Sequence, residues 1–329
     1  MGKEGEHRQL SIVTIDSRDP VRGERQKQAF LAKYLPALLA GRLSVPRRNM
    51  RLDWAVESVV DNCLKCSPKD PETRSRLALE IIEKSPYPVA KMKALGILEE
   101  QFGEWDRPFQ KKSQFLPGEV RKLISVSDLS DNEEFRIASF VLAANIGGTL
   151  VRNSYLAEKR GEIPSDRPDY YPDLSRSLAA ESDEKCFVAK FINISRYLKT
   201  ITSLCRDLQP QEEKTTQLLG ILQVKIEALD PLKAVDFIFS VIREYTQDCL
   251  EEIIFAQPPL DLETFKKICR EAPPEQRAEV ENRVRDHLSA TLVGHTGLYA
   301  HTNPRVGHRE ARRALIQHVF PLNNILSSE

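Results

Sequence analysis

Residues 231–255 read Pro-Leu-Lys-Ala-Val-Asp-Phe-Ile-Phe-Ser-Val-Ile-Arg-Glu-Tyr-Thr-Gln-Asp-Cys-Leu-Glu-Glu-Ile-Ile-Phe. Within it Val235, Ile238, Phe239, Ile242, Tyr245, Cys249 and Ile253 recur at steps of three and four. That step places them on one side of a helix of six to seven turns, because an α-helix advances 100° per residue. Asp230-Pro231 supplies the start, an N-cap acid followed by proline at the first helical position.

The same spacing recurs along the chain. It joins Val188, Phe191, Ile194, Leu198, Ile201 and Cys205, and again Ile137, Phe140, Val141, Ala144, Val151 and Tyr155. Gly147 and Gly148 fall inside the latter segment and mark a kink or a close helix contact. Ser130 with Glu133 makes a capping-box pattern ahead of Phe135. Asp70-Pro71-Glu72 opens a helix ending near Lys84, and Ser-Pro-Tyr-Pro at 85–88 separates it from another over Val89 to Phe102. This tight pair resembles one unit of a helical repeat in layout, but no second copy with shared signature residues is legible at a period of roughly 34–47 residues. The pattern therefore predicts an all-α chain, an irregular multi-helix assembly that leaves room for solenoid-like portions. Leu10 to Ile15 is the one short strand expected.

Composition at Glu158 to Asp173, rich in proline, glycine and charge, interrupts the helical pattern and predicts a surface loop or linker. It divides an N-terminal helical region, 1–157, from a C-terminal one, 174–329, with one continuous domain as the alternative. Its acids fail the spacing of a calcium loop. Tyr170 and Tyr171 within it are expected as exposed contact residues for a partner.

With 48 Lys and Arg against 48 Asp and Glu in 329 residues, the chain has no net charge. This argues against a wholly basic nucleic-acid coat protein. The balance conceals blocks: residues 1–51 hold 11 basic and five acidic side chains, residues 211–272 seven basic and 12 acidic. Apolar runs such as Ser139 to Ile146 fall below the roughly 20 residues that cross a bilayer, and Leu10 to Ile15 is too short for a secretory core. A soluble cytoplasmic or intracellular protein without a transmembrane segment is expected.

The densest chemistry lies near the end. His295, His301, His308 and His318 share a span with Arg305, Arg309, Arg312 and Arg313, where Glu310 is the sole acid between 305 and 313. Arg309, Arg312 and Arg313 share one helix side by spacing, and such a guanidinium-rich face suits phosphate on nucleic acid or an anionic lipid, with His301 and His308 nearby. The histidine gaps fit no standard metal spacing. Cys63-Leu-Lys-Cys66 lacks a second pair for zinc; Cys63 instead continues the apolar stripe Leu52, Val56, Val59, and Cys66 ends the helix. Cys186, Cys205, Cys249 and Cys269 read as small buried hydrophobes. No nucleophile elbow, phosphate-binding loop or dinucleotide motif occurs, and no cofactor or metal is expected.

Three functions follow, in order of support. The first is a non-enzymatic protein-interaction module, an adaptor or scaffold. The second is a phosphate-recognition module using the terminal Arg/His stretch, and the third an enzyme with a histidine acid/base in the C-terminal region.

Overall fold

A computed structural model describes residues 8–9, 20–44, 51–67, 71–105, 117–161, 168–204, 211–248, 259–260 and 262–287. The chain is all-α, with one two-residue strand pair among the described residues. The helices are α1 (Pro20–Leu39), α2 (Leu52–Cys66), α3 (Pro71–Lys84), α4 (Pro88–Trp105), α5 (Pro117–Asp128), α6 (Glu133–Lys159), α7 (Tyr171–Ala179), α8 (Glu184–Leu204), α9 (Gln211–Glu227), α10 (Pro231–Asp248), α11 (Leu262–Glu271) and α12 (274–287). Strands β1 (Arg8–Gln9) and β2 (Leu43–Ser44) pair in parallel. The expected strand at Leu10 to Ile15 lies outside the described residues.

Two compact units make up the chain: Met1–Ser177 with Lys199–Arg206, and Leu178–Leu198 with Asp207–Glu329. In the first, helices pair in order, α1 with α2, α3 with α4 and α5 with α6. Successive pairs then stack like on like. First helices touch first helices (α1 on α3, α3 on α5), and second helices touch second helices (α2 on α4, α4 on α6). This two-layer ladder is the contact pattern of a helical solenoid, in which each pair buries its apolar sides against its neighbours. Val59, Ile81, Leu98, Leu123 and Phe140 are core residues of these helices.

The end of α1 is fixed by local chemistry. Gly41 takes φ +67° just past the helix, a left-handed conformation that side chains other than glycine's adopt at a cost. Its α-carbon faces Pro86 so closely that an added β-carbon would stand 2.7 Å from Cγ. Beside it the Ser85 hydroxyl donates to the Leu38 carbonyl at 3.3 Å, and the Leu43 N–H donates to the Tyr87 hydroxyl at 3.0 Å. The Ser-Pro-Tyr-Pro turn between α3 and α4 thus also holds the α1 terminus.

The sequence places the cap of α6 at Ser130, but Asn132 is the cap. Its side-chain oxygen accepts from the Phe135 N–H at 2.8 Å, while Ser130 Oγ accepts from the Asn132 N–H at 3.2 Å and shapes the turn before it. Helix α6 runs unbroken through Gly147 and Gly148. By length and composition it is apolar enough to cross a bilayer, and 61% of its apolar window is buried in protein. No unbroken apolar run marks it in the sequence, because Asn145, Gly147, Gly148 and Thr149 interrupt the run.

In the second unit α10 packs on α9 and α11. The start of α10 is as the sequence predicts: Asp230 Oδ1 accepts from the Lys233 N–H at 3.1 Å, and this bond leads the causes that hold the Asp230 carboxyl below its ordinary range. Phe187 of α8 meets Phe237 of α10 with ring centroids 5.6 Å apart.

Candidate functional site

The terminal residues singled out by the sequence, His301, His308, Arg305, Arg309, Arg312 and Arg313, lie outside the described residues, as do His295 and His318. Tyr170 and Tyr171 do not form an exposed anchor. Tyr170 is 0% exposed and Tyr171 is buried. The reason is that Tyr170-Tyr171 enters α7, and the Tyr170 ring fills the space that Gly147 leaves open on α6. Burial pushes both phenols up to about 12. Of the expected loop, 158–159 complete α6 and 171–173 begin α7, where Arg121 on α5 donates to Asp173 at 2.9 Å.

The two cysteines of Cys-x-x-Cys sit where the helical stripe puts them, both buried, with Cys66 the last residue of α2. Burial raises the Cys63 thiol to about 12, and the Cys66 thiol also lies above its ordinary value, mainly through burial. Thiols held protonated are poor nucleophiles and poor metal ligands. Leu52 departs from the predicted stripe, lying exposed at the start of the helix. Cys186 and Cys269 are buried as expected. Among the described residues no group of three or more His, Cys, Asp or Glu could hold a metal ion.

One side-chain pair, His287 and Asp236, has no local signature in the sequence. His287, near the end of α12, lies with Nε2 2.6 Å from Asp236 Oδ1 on α10, and Arg283 Nε lies 3.6 Å from the same oxygen. The imidazole stacks on Phe239, whose other stacking partner is Phe265. Its positions 236 and 287 are 51 residues apart, so no local spacing announces it. The carboxylate fixes the orientation of the imidazole, but the described neighbours of the pair are aromatic rings and a guanidinium rather than a nucleophile.

The outward face of α2 has a different character. Ala55, Val56, Val59, Val60, Cys63 and Leu64 turn inward, and at the complementary spacing Trp54, Glu57, Ser58, Asp61, Asn62 and Lys65 line one open depression. Trp54 is 69% exposed, which is uncommon for the largest apolar side chain. Asp61 is engaged by Lys93 of α4 at 3.3 Å, so the face continues across neighbouring second-layer helices. Sequence periodicity does reveal this face as the side opposite the stripe, but it gives no signal that Trp54 stands on it unpacked. No protein-family model, curated protein sequence or solved structure matches the chain.

Proposed function

We propose that the chain is a helical protein-interaction module that engages a partner protein through the second-helix layer of its N-terminal unit, centred on Trp54. The observation that carries this is the 69% exposure of Trp54 beside a polar depression on α2. Indole combines a large rigid apolar surface with one N–H donor, and tryptophan is the residue type most enriched among the few side chains that dominate interface energy. Covering its exposed part would contribute about 2–4 kcal/mol from apolar burial alone. The stack of helix pairs supports the same reading, since solenoids present extended faces whose residues are free of core duties. The buried thiols of Cys63 and Cys66 add no reactive group to that surface.

The test is proximity labelling in cells with the full chain and with Trp54→Ala, at matched abundance and with matched far-UV circular dichroism. A discrete set of neighbours lost in the variant supports the proposal. An identical set of neighbours for both proteins overturns it.

A further inference from the structure

We infer that the α2 face takes an arginine-bearing basic segment of its partner protein; this rests on the interaction-module reading above and names the partner's chemistry. Some charges near the face are already paired and others are free. Asp61 is paired with Lys93. Asp53 and Glu57 are exposed and pair with no cation among the described residues. Both lie within one turn of Trp54: Glu57 follows it by three positions, about 4.5 Å along the axis, and Asp53 precedes it directly. Asp53 also favours the helix start, as an acid in the first turn does. Glu57 lies beyond that turn.

Arg51, exposed just before the helix, lies outside the depression, and Lys65, the cation that lines it, is eight positions beyond Glu57, about 12 Å along the axis. The depression is therefore acidic beside the indole and basic at its far end. A planar guanidinium matches the near end in two ways at once. It can lie against the Trp54 ring, the best aromatic face for a cation, and its N–H fork can donate to the Glu57 carboxylate. A lysine ammonium satisfies the ring and the charge but not the planar fork. An acidic segment would meet the Glu57 carboxylate next to the indole, with Asp53 at the same helix start, and a lipid surface or nucleic acid would bring phosphate to the same place; like charges there oppose docking. Neutral apolar partners would cover Trp54 but strip water from Asp53 and Glu57 without replacing it.

The test uses fluorescence anisotropy of labelled (Gly-Arg)4, (Gly-Lys)4 and (Gly-Glu)4 peptides titrated with the full chain at 150 mM salt. The arginine peptide should bind most tightly and the acidic peptide not at all. Trp54→Ala should weaken arginine-peptide binding roughly tenfold and Glu57→Gln roughly fivefold; Glu279→Gln, an exposed acid of the other unit, should leave it unchanged. Circular dichroism of each variant controls for folding. Equal binding by Trp54→Ala and the unaltered chain overturns the inference, as does preference for the acidic peptide or a Trp54-dependent dimer in sedimentation equilibrium. If the peptides fail while Trp54→Ala still loses neighbours in proximity labelling, only the partner's chemistry falls. If neither measurement depends on Trp54, the interaction-module reading falls with it.

Discussion

The ring of Tyr170 closes over Gly147: a β-carbon built on that glycine would stand 3.0 Å from Tyr170 Cδ2 and 3.4 Å from Cγ. Glycine in a helix interior costs about 1 kcal/mol relative to alanine, so α6 accepts a propensity penalty to admit the ring. Because Tyr170 is fully buried, it has little room to withdraw. Gly147→Ala is expected to destabilise the chain by about 1–2 kcal/mol, overlap exceeding the propensity gain. Gly96→Ala in α4 and Gly220→Ala in α9, where an added β-carbon meets nothing within 4 Å, should instead stabilise by about 0.5–1 kcal/mol. Urea unfolding midpoints for the three variants check this, and a stabilised Gly147→Ala would show that the ring yields.

In the second unit, Lys190 Nζ lies 3.0 Å from Glu181 Oε2 with both side chains nearly out of solvent, at 1% and 4% exposure. Glu181 Oε1 also accepts from the Asp183 N–H at 3.0 Å, so both carboxylate oxygens are engaged. Removing one partner strands the other charge in a medium that solvates it poorly. Lys190→Met or Glu181→Gln alone should cost about 3–5 kcal/mol. The double variant, which removes both charges and keeps an amide oxygen for Asp183, should be less destabilised than the sum of the single changes. A double-mutant cycle by urea unfolding measures the difference; strict additivity would mean the pair is not coupled.

Asp230, Pro231 and the 85–88 turn announce helix ends because capping and proline chemistry act over three or four residues. The stacking of helix pairs was hidden for a different reason. The first helices of the three pairs begin at 20, 71 and 117, a spacing of 51 and then 46 residues, so no fixed period of 34–47 aligns them, and packing needs apolar faces rather than identical letters. The burial of Tyr170 is not legible in the sequence because its flanking prolines and acids describe the backbone around it, whereas its burial depends on a glycine 23 positions away. Likewise Trp54 reads as an ordinary apolar letter, and only the packing of α2 on α1 and α4 shows it left outside.

Alkaline pH should weaken the fold through groups whose ionisation burial opposes. Cys63 is raised from 9.0 to about 12, and Tyr170 and Tyr171 from 10.0 to about 12. Unfolded, these groups release their protons near the ordinary values; folded, they keep them until about pH 12. Between pH 9 and 12 the unfolded chain therefore binds fewer protons, and stability falls as pH rises, while below pH 9 these groups add no slope. Unfolding free energies at pH 8, 9.5 and 11 should decline in that order, with Tyr170→Phe flattening the upper part of the decline. Absorbance at 295 nm gives an independent reading: Tyr170 and Tyr171, of the eight tyrosines, should ionise late. Ionisation of all eight near pH 10 with the helices intact would contradict the burial of Tyr170 and Tyr171.

The start of α6 separates two neighbouring side chains that a sequence pattern treats as equivalent candidates. Asn132 Oδ1 accepts from the Phe135 N–H at 2.8 Å, satisfying one of the N–H groups that the first turn leaves without a helical partner. Ser130 Oγ instead accepts from the Asn132 N–H, upstream of the helix. Glu133 and Glu134 place negative charge at the same end, where the helix dipole favours it. Asn132→Ala should therefore cost about 1 kcal/mol, and Asn132→Asp should be close to neutral, because a carboxylate accepts the same bond. Ser130→Ala should cost less than half as much as Asn132→Ala, since the helical N–H keeps its partner. Amide hydrogen exchange at Phe135 distinguishes the two sites: it should accelerate in Asn132→Ala and stay slow in Ser130→Ala, whereas the reverse order would return the cap to Ser130.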